Sequence, residues 1–231
     1  MSSRADAVPA RELARIGPVQ QLRAGRLGRR LIQLAFGLVL YGVTLAMILR
    51  ASLGNAPWDV LHQGMAEHLP LTIGQCVIVV SLLVLLLWIP LREMPGLGTV
   101  ANSLVVGLSA DAALGVLETP DSLALRVVLM VAGVVLNAVA TALYIGSQFG
   151  PGPRDGLMTG LHRRTGVSIR LVRTALEVTV VVLGFLLGGL VGIGTVVYAL
   201  AIGPLVQQLL PWAIVDLGEA VPVAEEQAAR G

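Results

Sequence analysis

The stretch "LGNAPWDVLHQG", Leu53–Gly64, returns in closely similar form as "FGPGPRDGLMTG", Phe149–Gly160. Each copy has Gly, Pro, Asp, Leu and Gly at the same spacing. The offset of 96 residues extends beyond the motif, because 20 of the 71 positions between residues 37 and 107 are identical to those 96 positions later, without a gap. Chance matching in so biased a composition gives roughly 6 identities. The chain therefore contains an internal repeat.

The composition predicts a membrane protein. Of the 231 residues, 55% are hydrophobic and only 13% are charged, whereas a soluble domain has about 25% charged residues. Six stretches are long enough to span a bilayer, which takes about 20 residues of helix. In lipid they must be helices, because every backbone polar group needs an internal partner. We place them at Leu31–Leu49, Ile73–Leu91, Leu97–Leu117, Leu125–Ser147, Ile169–Gly189 and Val191–Val215.

Six spans divide into three per repeat. Because three is an odd number, the second copy must enter the membrane from the opposite side, which is the inverted topology of many transporters. The predicted fold class is thus an all-α membrane protein with six transmembrane helices in two inverted three-helix repeats. Each repeat has a short extra helix between its first and second spans. The predicted divisions are an Arg-rich cytoplasmic tail (1–30), the first repeat (31–117), a linker (118–124), the second repeat (125–215) and an acidic tail (216–231).

The arginines predict the orientation. The N-terminal tail holds seven of them, and the segment between the fourth and fifth spans holds four more, whereas the opposite side has only Arg50 and Arg126. The positive-inside rule then places both termini and the Arg-rich loops in the cytoplasm. Topology and contact with anionic lipid account for the basic tail. No nucleic-acid partner is therefore expected.

The repeated motif has the features of a helix start. A proline suits the first helical position, where no N–H is needed. An aspartate in the first turn suits the positive end of the helix dipole, and a preceding glycine allows a tight turn. The helix that follows has about 12 residues and a length of roughly 18 Å, half a membrane. These residues are Gly54, Pro57 and Asp59 in the first copy and Gly150, Pro153 and Asp155 in the second.

Two interpretations of the motif remain open. Either both short helices dip into the bilayer from opposite sides and their first turns bind a solute or ion near the midplane, or the aspartates only cap helices that lie flat on the surface. A polar residue also lies at one equivalent place in the two closing spans, Asp111 in the first repeat and Gln207 in the second. The candidate substrate-binding set therefore comprises the six motif residues together with Asp111 and Gln207.

Other charges have a structural interpretation beside a functional one. Arg173 and Glu177 lie four residues apart and can pair on one helix face. Arg154 either forms a local ion pair with Asp155 or contacts an anion. The three histidines show no metal-ligand spacing, no phosphate-binding loop with lysine is present, and Cys76 is the single cysteine. We therefore expect no enzymatic activity, no metal, no disulfide and no cofactor.

The segments "GNAPWDVLHQG", "GPGPRDGLMTG" and "GIGTVVYALAIGPLVQ" resemble the YczE family of bacterial integral membrane proteins, and more distantly the YitT-type proteins. The resemblance covers about Leu31 to Leu210 and implies a multi-span protein of the cytoplasmic membrane, without a substrate or catalytic residues. The expected function is a transporter or channel-like carrier of a small solute or ion. The alternative is a non-transporting membrane protein that supports export, assembly or regulation of another process. The lipid bilayer is the expected partner, and a homo-oligomer is possible.

Overall fold

The computed structural model describes residues 13–14 and 17–217, and the regular structure in that part of the chain is entirely helical. Part of the predicted Arg-rich tail, including Arg4, Arg11 and Arg15, lies outside the described residues. The same holds for the predicted acidic tail beyond residue 217. The helices are α1 (Pro18–Arg23), α2 (Leu27–Ala51), α3 (Pro57–His68), α4 (Ile73–Leu91), α5 (Leu97–Leu114), α6 (Leu123–Gly146), α7 (Pro153–Thr165), α8 (Ile169–Leu186) and α9 (Ile193–Ala213).

Five of the described helices are long and apolar enough to cross a membrane, namely α2, α4, α5, α6 and α9. Helix α8, the predicted fifth span, is not among them. It carries Arg170, Arg173 and Glu177 within its 18 residues, and these charges set it apart from the other long helices. The prediction of six spans therefore exceeds by one the number that length and composition support in the described chain.

The local sequence explains how the helices begin. Helices α3 and α7 begin at Pro57 and Pro153, each after an extended residue, as the motif predicts. Helix α4 begins with a capping box, in which the Thr72 hydroxyl accepts a hydrogen bond from the backbone N–H of Gln75. The first span begins at Leu27, earlier than predicted, and the third ends at Leu114.

The backbone shows the same conformations at positions 96 residues apart. Positive φ angles occur at Ser52 and Gln148, and again at Gly54 (115°) and Gly150 (105°). Arg92 and Gly188 form a third such pair. The segments before the short helices and the ends of α4 and α8 therefore turn in related ways, whereas the positive φ of Gly166 (71°) has no counterpart at Pro70.

Helices α2 and α6 pack against each other as an antiparallel pair through glycines. A Cβ at Gly37 would lie 2.9 Å from the backbone nitrogen of Tyr144, and a Cβ at Gly133 would lie 2.9 Å from the Ile48 side chain. Around this pair, α5 packs on α2 and α9 packs on α6. Each short helix contacts a long helix of the other half, α3 against α8 and α7 against α4.

The segment before each short helix is hydrogen-bonded to the start of the last long helix of the other half. The Gly194 N–H donates a 2.8 Å hydrogen bond to the Leu53 carbonyl, and the Gly98 N–H donates a 2.8 Å hydrogen bond to the Phe149 carbonyl. These two bonds join residues that differ by 96 at both ends. Each motif is therefore held at the start of the closing helix of the other half.

The two motifs turn back towards the middle of the protein. Because Tyr144 lies beside Gly37, the end of α6 is level with about residue 35 of α2, and at 1.5 Å per residue the ends of α2 and α6 are about 24 Å apart. Eight residues after each of these ends, however, Asp59 and Arg154 are only 4.0 Å apart. The first turns of α3 and α7 therefore approach each other in the interior of the protein. The two short helices do not begin at opposite ends of the α2–α6 pair.

Candidate functional site

A cavity of about 250 Å³ lies where the first turns of α3 and α7 meet. Small-molecule sites have volumes of about 300–1,000 Å³, so this cavity suits a small solute. Its lining includes Pro57 and Trp58 from α3, Arg154 and Asp155 from α7, and residues of all five candidate spans and α8.

The cavity wall uses equivalent positions of the two halves but different side chains. The second half contributes charged or phenolic groups where the first half contributes apolar, hydroxyl or amide groups. The equivalent lining pairs are Trp58 and Arg154, Val77 and Arg173, Ser81 and Glu177, and Asn102 and Tyr198. The cavity is thus enclosed in a related way by both halves, whereas its charge comes mainly from one.

Arg154 reaches across to the other motif. Its Nη2 atom lies 4.0 Å from Asp59 Oδ1, and its guanidinium carbon lies 5.0 Å from the centre of the Trp58 ring. Among the described residues its ion-pair partner is Asp59 rather than Asp155. The local pairing with Asp155 that the sequence left open is therefore absent, and the guanidinium instead connects the first turns of the two motifs.

Asp59 is buried behind Arg154. It is only 4% exposed, and its Oδ1 atom lies 3.1 Å from the Nδ1 atom of the fully buried His62. The Nε2 atom of His62 has no hydrogen-bond partner among the described residues. The buried imidazole of His62, the carboxylate of Asp59 and the guanidinium of Arg154 thus lie in that order from the protein interior to the cavity.

Asp155 lies in the cavity wall itself. Its Oδ2 atom accepts a 2.8 Å hydrogen bond from the Tyr144 hydroxyl, and it is half-buried. Among the described residues no cationic side chain lies within 4.0 Å of this carboxylate. Asp155 is therefore a carboxylate that faces the cavity with one hydrogen bond and no ion pair.

All three tyrosines of the chain line the cavity. Tyr41 and Tyr144 contact each other edge to face with ring centres 6.2 Å apart. The Tyr198 hydroxyl donates a 2.9 Å hydrogen bond to the side chain of Asn137, which in turn donates a 2.8 Å bond to Thr44. The candidate set predicted from the sequence did not include these tyrosines. The feature that could have indicated them is that each is a polar aromatic residue within an apolar span.

The predicted pair on α8 forms in the cavity wall. Arg173 Nε lies 2.8 Å from Glu177 Oε1, and both residues line the cavity. The charges that distinguish α8 from the other long helices are thus partly directed to the interior.

The structure brings most of the predicted site residues together. Pro57, Pro153, Asp155 and Gln207 line the cavity, and Asp59 lies directly behind its wall. Gly54 and Gly150 lie in the approach segments, against Gly192 and Gly96 respectively. Whether this set binds a substrate stays a prediction.

Asp111 lies elsewhere. Its carboxylate accepts hydrogen bonds from the Thr72 hydroxyl and, at 2.8 Å, from the Gly74 N–H, so it caps the start of α4. Asp111 is thus not among the residues that line the cavity, whereas its counterpart Gln207 is. At the start of α8, the counterpart of α4, Ser168 and Arg170 occupy the places of Thr72 and Gly74.

The apolar helices and the interior polar cavity define the class of the protein, a multi-pass α-helical membrane protein. Among the described residues no group of His, Cys, Asp and Glu could hold a metal ion. The chain belongs to a family of unknown function, DUF6198, whose model matches residues 28–211.

Named relatives extend the family assignment. An uncharacterized protein of Haemophilus influenzae is 42% identical over 177 residues, which cover 77% of this chain and 81% of the relative. The uncharacterized membrane protein YczE of Bacillus subtilis is 31% identical over 78% of this chain and 84% of its own. The uncharacterized protein YyaS of the same bacterium is 25% identical over 76% of this chain and 89% of its own. The resemblance to the YczE family is thereby confirmed. No solved structure matches this chain.

Proposed function

We propose that this protein transports a small polar solute or ion across the bacterial inner membrane and binds it in the central cavity. The observation that carries the proposal is the 4.0 Å contact between Asp59 and Arg154. It places the first turns of both short helices beside one cavity, which charged groups of α7 and α8 line. Transporters commonly bind their cargo near the membrane midplane, between the first turns of such broken segments.

The proposed arrangement has six spans in two inverted repeats, with α8 as the sixth span and both termini in the cytoplasm. Three observations support it: the pairing of positive φ angles, the crossed hydrogen bonds between the halves, and the contact of each short helix with a long helix of the other half. The charges of α8 agree with this role because Arg173 and Glu177 face the cavity. In this arrangement the site could be opened to one side and then the other by rocking one half against the other.

The test is flux into liposomes of purified protein, measured with a panel of small zwitterions, cations and anions. Asp59→Asn and Asp155→Asn should lower the flux of the transported solute at least tenfold. Both variants should stay folded, because asparagine keeps an acceptor for the hydrogen bonds from His62 and Tyr144. Asp121→Asn, an exposed residue of the linker, is the matched control and should transport like the unchanged protein.

The same experiment separates transport from a supporting role. Wild-type flux through both cavity variants would reject the cavity as the path. No flux of any solute in the panel, with correctly inserted protein, would favour the non-transporting alternative, in which the protein supports export, assembly or regulation of another process.

A further inference from the structure

The cavity presents hydrogen-bond donors without a matching acceptor. No side chain or carbonyl among the described residues accepts a hydrogen bond from the Arg154 guanidinium, whose ion pair with Asp59 is long at 4.0 Å. Trp58, which is 7% exposed and lines the cavity, has a buried indole N–H without a hydrogen-bond partner among the described residues. Buried donors normally have a hydrogen-bond partner. Both donors suit the oxygens of a carboxylate, which arginine can bind through two parallel hydrogen bonds.

The cavity also presents a carboxylate without a matching cation. Asp155 has one hydrogen bond, from Tyr144, and no ion pair among the described residues. Arg173, which also lines the cavity, pairs with Glu177 at 2.8 Å and makes no ion pair with Asp155 among the described residues. An ammonium group is the complement that a carboxylate in this position lacks.

The aromatic lining favours the same occupant. Tyr144 donates a hydrogen bond to Asp155, and Tyr41 and Tyr198 line the same cavity. The faces of aromatic rings attract ammonium groups. One face of the Trp58 ring is already covered by the Arg154 guanidinium, while its N–H has no partner among the described residues. The donors, Arg154 and Trp58, and the group that suits an ammonium, Asp155, are therefore different residues of one small cavity.

We propose that the cavity binds a small zwitterion, a solute with a carboxylate and an ammonium group, of the amino-acid or betaine class. The carboxylate binds Arg154 and the Trp58 N–H, and the ammonium group binds Asp155 among the tyrosines. A simple anion leaves Asp155 without a cation, and a simple cation leaves Arg154 and Trp58 without an acceptor. This inference rests on the proposed function for its location and adds the class of solute.

The test measures binding to purified full-length protein in detergent by calorimetry. The probes are glycine, L-alanine, L-proline and glycine betaine, compared with propionate and ethylammonium, which carry only one of the two groups. At least one zwitterion should bind tenfold or more tightly than both single-charge probes. Arg154→Gln and Asp155→Asn should each weaken that binding at least tenfold, whereas the control Arg170→Gln, an exposed arginine outside the cavity, should leave it unchanged.

A conservative variant separates recognition from folding. Arg154→Lys keeps the charge but loses the two-pronged geometry, so it should bind the zwitterion more weakly than the unchanged protein and more tightly than Arg154→Gln. Equal losses in both variants, or zwitterion affinity no greater than that of propionate or ethylammonium, would overturn the inference.

Flux measurements with the same probes distinguish the two proposals. Flux of only a cation or only an anion would leave the transport proposal standing and overturn the zwitterion. Zwitterion binding without flux of any probe would support the ligand class and reject transport.

Discussion

The contact between Gly54 and Gly192 allows a quantitative test of how the two halves cross. An alanine at position 54 would hold φ near +115°, and its Cβ would lie 2.6 Å from the Gly192 nitrogen and 2.8 Å from its Cα. Such a backbone angle costs of order 1–3 kcal/mol in a residue other than glycine. Overpacking against backbone that cannot move aside costs about 1–3 kcal/mol more. Gly54→Ala should therefore destabilise the protein by about 2–6 kcal/mol.

Two further variants separate the angle from the contact. Gly150→Ala has a similar angle, +105°, but its nearest neighbour would be the Thr99 hydroxyl at 3.0 Å, so the angle should dominate at about 1–3 kcal/mol. Gly166→Ala has a φ of +71° and no atom within 4 Å, so it should cost about 1–2 kcal/mol.

The assay is unfolding of each purified variant by added SDS in mixed micelles, followed by tryptophan fluorescence. The expected order of destabilisation is Gly54→Ala, then Gly150→Ala, then Gly166→Ala. If Gly54→Ala unfolds at the same SDS fraction as Gly166→Ala, the close approach of Gly54 to Gly192 is wrong, and with it the crossed packing of the two halves.

The remaining predictions concern topology and core packing. In a Cys76→Ser background, a cysteine at position 67 in place of Glu67 should react with an impermeant thiol reagent from outside, and one in place of Arg163 only after the membrane is opened; equal labelling in intact cells would contradict the inverted repeat. A Cβ at Gly156 would overlap the buried indole of Trp88, so Gly156→Ala should cost about 1–3 kcal/mol in the SDS unfolding assay. Adding Trp88→Leu to Gly156→Ala should cost less than the sum of the two single changes, and strict additivity would show that these residues do not touch.

Several features of this protein follow from short-range sequence. Pro57 and Pro153 determine where the short helices begin, because proline favours the first turn and disfavours the turns that follow. The apolar run of Ile73–Leu91 coincides with α4 at both ends. The 96-residue repeat also predicts that the chain turns in equivalent ways twice. All of these are properties of neighbouring residues or of direct comparison along the chain, so they need no knowledge of which helices touch.

Other features depend on partners that are distant in the sequence. Arg154 pairs with Asp59, which lies 95 residues earlier in the chain, rather than with its neighbour Asp155, because the packing of α2 on α6 brings the two motifs together. Asp111 caps α4, because the threonine and glycine at the start of that helix offer it donors, whereas Gln207 lines the cavity. The repeat placed these two residues at equivalent positions but could not show which donors surround each of them.

The tyrosines and helix α8 show the same limit. The composition of α8 gives the number of its charged side chains but not the face of the helix on which they lie. In the folded protein Arg173 and Glu177 line the cavity. Tyr41, Tyr144 and Tyr198 lie in three different helices, α2, α6 and α9, and only helix packing makes them one wall. The sequence alone thus determined a repeated, helical membrane chain with two short helices, because these depend on local chemistry and on periodicity. The tertiary structure alone decided which polar groups share the cavity, because in a membrane protein that depends on which face of each helix is turned inward.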